Sequence, residues 1–311
     1  MATLANRATD TIAAKIHAGD RITPDDARHL WQHATDAELR NLATRVRARF
    51  HPEDRATYMV MRIINYTNVC VAQCDYCAFY KLPGQEGGYV LSREAVFSKL
   101  DELLALGGDL AAFNGGFNPH LPLDYYCGLF SAIRHRYSDT LEFYALTIAE
   151  FLYLADHARL SYAKAAARFK AAGVRWITGG GSEILTEAFR HRHSKFKYTV
   201  AQYFAAQRAI LEAGLNTTAT MVIGFDESLD ERIEHLERTR AFQDEVSSLG
   251  GGLKSFLCWT FKPYFTQLGN QLGGIEISTG EYLRHLALSR IYLDNIPRIR
   301  TSVLTQNQGA L

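Results

Sequence analysis

The chain has 311 residues, 47% hydrophobic, 22% charged and 12% aromatic, which excludes wholesale disorder and suffices for one large core. Lys and Arg number 34 against 33 Asp and Glu, a formal charge of +1, whereas a dedicated nucleic-acid binder carries a basic excess or stripe. Charges interrupt the N-terminal stretch, unlike a signal peptide, and no apolar run approaches the ~18 residues of a membrane span; a soluble, cytoplasmic protein without nucleic-acid or membrane partners is expected.

Residues 1–52 read as a helical N-terminal extension. Thr23 is a good N-cap, Pro24 suits the first helical position, and Asp25 and Asp26 fill the first turn. Leu30, Trp31, Leu39, Leu42, Ala43 and Val46 follow at helical spacing, and His51-Pro52 ends the segment. From residue 53 to 311, short β-rich apolar runs alternate with longer amphipathic stretches. The runs are 58–66, 110–115, 141–146, 176–179, 217–224 and 254–261; the stretches include 93–106, 125–137, 162–172, 198–213 and 229–245. This alternation predicts parallel βα units with right-handed crossovers. Six units, with no GxGxxG after the first run, predict an α/β fold of the (βα)6 partial TIM-barrel type rather than a flat nucleotide-binding sheet.

Each run ends in a polar or glycine-rich cluster: NYTNVC, NGGFNP, TIAE, TGGGSE, GFDES and FKPYFT. In βα barrels the carboxyl edge of the strands carries the chemistry. The five cysteines sharpen this. Cys70, Cys74 and Cys77 fall within eight residues just after the first strand, a poor disulfide framework but a good metal or redox one. Three thiolates so spaced can hold three irons of a [4Fe–4S] cluster and leave the fourth open to a ligand. A structural zinc site is the alternative; it normally takes four protein ligands, and Cys127 and Cys258 lie in distant elements.

The Cys70-x3-Cys74-x2-Cys77 triad, with Tyr76 before its third cysteine, resembles the radical S-adenosylmethionine enzymes. The resemblance implies a [4Fe–4S] cluster on the three cysteines, with its open iron chelated by S-adenosylmethionine, and a reducing partner such as flavodoxin or ferredoxin. It further implies that Tyr76 packs near the adenine and that Asn114, Gly115 and Gly116 receive the methionine amino group. Thr147 and Glu150 stand where related enzymes carry an S-x-x-E motif facing ribose and methionine. Further segments, INYTNVC (64–70), CAFY (77–80), NGGFNP (114–119), GGGSEIL (179–185), TTATMVIG (217–224) and the stretch through Gln243-Asp244-Glu245, narrow the resemblance to the cyclic dehypoxanthinyl futalosine synthases of menaquinone biosynthesis. That family's substrate is a small nucleoside-like molecule, in which the adenosyl radical takes the ribose C4′ hydrogen and the sugar radical attacks the benzoate ring. Aminofutalosine and FO synthases are close relatives, so a diverged relative acting on another ribosyl or aromatic substrate is the alternative. A non-catalytic iron–sulfur or zinc scaffold is the alternative of a different class.

Three departures from the family pattern stand out. Thr147-Ile148 replaces the usual Ser-Pro, Phe225 replaces a histidine near the substrate, and the GADD-like stretch with which the family continues is not in this sequence. Phenylalanine transfers no proton. Glu183, beside three glycines, is therefore the candidate proton acceptor, with a plain helix N-terminal acid as the alternative. Arg190 and Lys197 resemble a family motif and are candidates to meet an acidic substrate group. His191 and His193 read as solvated, His235 as structural, Cys127 as an ordinary buried thiol, and Cys258 as able to point into the barrel.

Overall fold

The computed structural model describes residues 4–306. Three helices open the chain: α1 (Leu4–Ala18), α2 (Pro24–His33) and α3 (Asp36–Arg47). Thr23 caps α2 with Asp26 reaching back in a capping box, and a second box, Thr35 with Glu38, separates α3 from α2. The first half of the barrel follows as β1 (Met61–Asn65), α4 (Arg93–Ala105), β2 (Leu110–Asn114), α5 (Leu123–Tyr137), β3 (Glu142–Thr147), α6 (Ile148–His157), α7 (Tyr162–Ala171) and β4 (Trp176–Thr178). The second half comprises α8 (Glu187–His193), α9 (Val200–Glu212), β5 (Ala219–Ile223), α10 (Leu229–Val246), β6 (Phe256–Thr260), α11 (Gln267–Gln271), α12 (Thr279–Tyr292), β7 (Ile299–Arg300) and α13 (Val303–Gln306).

All strand pairs are parallel, in the orders β1-β2-β3-β4 and β5-β6-β7. A parallel bridge between Trp176 and Asn216 links the two sheets: the Ile177 amide donates to the Asn216 carbonyl at 3.0 Å. The fold is thus the expected parallel α/β partial barrel, with the loops after its strands gathered at one mouth. A seventh strand, β7, joins the predicted six. Two residues between Pro297 and Ser302 carry no readable alternation; Ile299 and Arg300 are extended because they pair with Phe256 and Leu257 of β6.

Alternation along the strands sorts two faces. Ala111, Phe113, Phe143 and Ala145 pack outward against helices α4 to α7, whereas Leu110, Ala112, Tyr144, Met61, Ile63 and Trp176 cluster on the inner face. The outer face is rich in aromatic rings, with Phe130 and Phe143 stacked at 5.6 Å. Each such ring contributes about 1.5–3 kcal/mol by burial. A second core joins α1, α2 and α3 to α10, α12, β5 and β6. Cys258 belongs to this second core, so its thiol faces the helices and not the barrel interior as its place on the last strand had suggested. Among the described residues no helix is long and apolar enough to cross a membrane.

The second core also buries two imidazoles, His235 and His285, both fully inaccessible. His235 Nδ1 accepts the Leu185 amide proton at 3.0 Å, which is the structural role its helix position suggested. Burial pushes the His235 pKa down to about 3, and burial with Arg232 and His235 nearby holds His285 well below the usual histidine range. Both rings therefore stay neutral in the folded state while the unfolded chain protonates below about pH 6.5. Stability should fall as pH drops through that value, by about 2 kcal/mol per ring at pH 5. Urea midpoints measured from pH 8 to pH 5 check this, and His285→Phe should remove about half of the slope.

Candidate active site

The cysteine loop leaves β1 at Asn65 and is pinned by its own backbone. The Cys70 amide donates to Lys81 O at 2.9 Å, Lys81 N to Asn68 O at 2.9 Å, and Leu91 N to Tyr66 O at 2.7 Å. The loop is also tied sideways. The Val71 amide donates to Phe117 O at 3.1 Å, and the Leu268 amide at the start of α11 donates to Asp75 O at 2.9 Å. Cys70, Cys74 and Cys77 share one small packing cluster with Ala72, Phe117 and Ala149, and Phe117 stacks on Tyr153 at 4.8 Å. Cys70 Sγ accepts amide protons from Phe117 at 3.3 Å and Ala72 at 3.4 Å, the pattern that suits a thiolate. Burial pushes the Cys74 thiol up to about 11, so iron binding must displace its proton. Among the described residues no three His, Cys, Asp or Glu side chains close on a single metal ion. Three thiols on one loop, one of them accepting two amide protons, fit a thiolate-bound iron–sulfur cluster in donor chemistry.

The glycines after β2 serve close approach. A Cβ on Gly116 would sit 2.3 Å from Val69 O and 2.6 Å from Cys70 Cβ, and one on Gly115 would meet the Tyr66 ring at 2.4 Å. Asn114 closes β2 opposite Asn65 of β1. Thr147 is the N-cap of α6, and Glu150 is the N3 residue of the same capping box, accepting from Thr147 N at 3.0 Å and Thr147 Oγ1 at 2.7 Å. The other Glu150 oxygen accepts from the Gly115 amide at 2.8 Å and from the Tyr66 hydroxyl. Glu150 is 3% exposed, and burial raises its pKa while these donors oppose the rise. The carboxylate expected to face a cofactor thus turns inward and welds the ends of β1, β2 and β3.

Across the mouth, Glu183 adopts φ +43°, in the left-handed region that a residue other than glycine rarely occupies. Its carbonyl accepts from Val222 N at 3.1 Å, and its carboxylate pairs with Lys197 Nζ at 3.0 Å. Lys197 also donates to the Tyr76 hydroxyl at 2.9 Å, which joins Glu183 to the cysteine loop. Phe225 stands beside them, stacked on Phe261 at 4.7 Å and 5.3 Å from the Tyr76 ring. Arg190 is buried, and its guanidinium donates to the carbonyls of Tyr198, Gly181 and Ser182.

His193 departs from its reading as a solvated residue. It is buried, with Nδ1 3.0 Å from Asp75 and Nε2 2.7 Å from Asp226, and so clasps the cysteine loop to the turn after β5; His191 is exposed. Cys127 is half-buried on α5. Tyr66, His193 and the Glu183–Lys197–Tyr76 linkage are the parts that sequence reasoning missed. Their partners lie 14 to 121 positions apart, and only the polar strand-end clusters signalled them.

A family model described as the Radical SAM superfamily matches residues 64–239, which spans β1 to α10. The chain is 35% identical to the cyclic dehypoxanthine futalosine synthase of Halalkalibacterium halodurans, over 95% of this chain and 78% of that protein. It is 34% identical to the aminodeoxyfutalosine synthase of Thermus thermophilus, over 93% of this chain and 76% of that one. In structure it resembles HydG, a maturase of the [FeFe]-hydrogenase, with a TM-score of 0.72 and 15% identity over 95% of this chain and 64% of that chain. That likeness bears on the fold alone.

Proposed function

Since the chain belongs to the Radical SAM superfamily, we propose that it is a cyclase that converts dehypoxanthine futalosine to cyclic dehypoxanthine futalosine in menaquinone biosynthesis. The observation that carries the reading is the 35% identity to a cyclic dehypoxanthine futalosine synthase over nearly the whole chain. Cys70, Cys74 and Cys77 would hold a [4Fe–4S] cluster, with S-adenosylmethionine along the ends of β2 and β3 at Asn114, Gly115, Gly116 and Thr147, and Tyr76 on the adenine side. Bound together, the two groups would supply one-electron, hydrogen-abstracting chemistry at the ribose, and the residues named here would hold the sugar carbon near the benzoate ring. Glu150 acts through the Gly115 amide that it fixes. Phe225, stacked on Phe261, would put an apolar ring beside the substrate, Arg190 holds the Gly181–Ser182 turn, and the barrel wall would exclude water around the reacting carbon. A low-potential donor of the flavodoxin or ferredoxin kind supplies the electron. A reducing cytoplasm suits the five free thiols.

Anaerobic turnover with dehypoxanthine futalosine, S-adenosylmethionine and a reductant, followed by mass analysis, tests the assignment. The expected product is lighter than the substrate by two hydrogens and appears with 5′-deoxyadenosine. Cofactor cleavage with unaltered dehypoxanthine futalosine would overturn the cyclase reading. The 34% identity to an aminodeoxyfutalosine synthase makes that protein's reaction the next to assay.

Glu183 is our candidate for the proton that leaves, together with one electron passed to a one-electron acceptor, when the cyclised ring regains aromaticity, since Phe225 has no proton-accepting atom. Glu183→Gln should keep 5′-deoxyadenosine formation and lower the ratio of cyclised product to 5′-deoxyadenosine roughly 10²-fold, within the usual range for a general base. An unchanged ratio removes Glu183 from that role.

A further inference from the structure

One buried linkage joins the turn at Glu183 to the cysteine loop through Lys197. The Lys197 ammonium is only 9% exposed, lies 3.0 Å from Glu183 Oε2 and 2.9 Å from the Tyr76 hydroxyl, and sits 5.4 Å from the Tyr76 ring centre. Tyr76 lies in the cysteine loop itself, immediately before Cys77 and two positions after Cys74. A chain of polar contacts therefore runs from Glu183 through Lys197 to Tyr76, inside the loop that carries the triad.

We propose that Lys197 is a positioning residue that raises the reduction potential of the cluster held by Cys70, Cys74 and Cys77. The proposal rests on the cluster assignment made above. Reduction adds one electron from a low-potential one-electron donor to the cluster, with no bond made or broken and no proton moved. Iron–sulfur potentials respond to net charge, to hydrogen bonds at the sulfurs and to solvent exposure. Lys197 supplies the first of these. Its ammonium, held 2.9 Å from the hydroxyl of a residue in the cysteine loop, favours the more negative, reduced cluster. Burial strengthens the effect, because the charge is poorly screened by water. Glu183 lies 3.0 Å from the ammonium as its counter-ion.

Glu183 is the counter-charge and should act with the opposite sign. This distinguishes electrostatic tuning from a merely structural part, for which loss of either partner of the pair would act alike. The test is an electron-paramagnetic-resonance redox titration of anaerobically reconstituted protein without substrate, using wild type, Lys197→Met, Lys197→Arg and Glu183→Gln. At a fixed potential, Lys197→Met should lower the ratio of reduced to oxidised cluster about tenfold, a shift of about 59 mV to more negative potential for one electron. Lys197→Arg should restore most of the wild-type value, and Glu183→Gln should raise the ratio. Midpoints that coincide in wild type, Lys197→Met and Glu183→Gln, with the cluster present in all three, overturn the inference and leave the cluster assignment standing. If Lys197→Met loads no cluster, the Glu183→Gln titration decides: a fall or no change overturns the inference. A wild-type protein that assembles no cluster overturns both.

Discussion

Cys74→Ala protein, reconstituted with iron and sulfide under anaerobic conditions, is expected to lose the cluster and to form no 5′-deoxyadenosine, whereas wild type should bind about four irons and four sulfides. Cys74 is the buried middle member of the triad, and no fourth cysteine lies in its loop to replace it. Cys127→Ala should leave iron content and cofactor cleavage unchanged, because Cys127 lies on α5 against the outer core. Gly116→Ala should reproduce the Cys74→Ala phenotype by another route. Its added methyl would stand 2.3 Å from Val69 O and 2.6 Å from Cys70 Cβ, and a backbone oxygen cannot rotate aside as a flexible side chain can. The loop must shift, and Cys70 with it. Iron content should drop several-fold while far-ultraviolet circular dichroism stays unchanged. Gly128→Ala on α5 is the control, since nothing lies within 4 Å of its new methyl and alanine favours the helix by about 1 kcal/mol. Full iron content and activity in Cys74→Ala would remove the cluster from this loop.

Glu150→Ala should lower the stability of the cofactor-free protein by roughly 3–5 kcal/mol, the range for removing one partner from a buried charged network. The truncation strands the Gly115 and Thr147 amides and the Tyr66 hydroxyl in a site with almost no access to water. Glu150→Gln should cost less, about 1–3 kcal/mol, because one amide oxygen still accepts from Gly115 and Tyr66 while the new NH2 group faces the Thr147 amide, donor against donor. Tyr66→Phe leaves the carboxylate one donor short and should couple with Glu150→Gln in a double-mutant cycle. Urea denaturation without cofactor measures all three. A carboxylate that served only to touch S-adenosylmethionine would leave that measurement unmoved, so an unchanged urea midpoint for Glu150→Ala rejects the structural role.

The strand ends show why the sequence reading went as far as it did. A parallel barrel writes its strands as short apolar runs, and the loops beyond them must be polar or glycine-rich because they line a mouth open to water and ligand. The cysteine spacing lies within eight consecutive residues, so its chemistry is local. The helix start at Thr23 is local too, since a cap and its N3 partner lie three positions apart. β7 was invisible because two residues have no period, and their extended backbone comes from pairing with β6.

The sequence by itself thus determined the class of fold, and it singled out the strand edge and the three thiols proposed here for the cluster, through signals confined to a few neighbouring residues. Only the tertiary structure decided what the charged side chains do there. Glu150 turned inward because a buried carboxylate needs donors, and three strand ends supplied them. Arg190 went to backbone carbonyls, and His193 settled between Asp75 and Asp226 rather than in solvent. Lys197 met Tyr76 across 121 positions. Which partner a polar group finds depends on what the fold brings within about 3 Å, a distance that spacing along the chain does not encode.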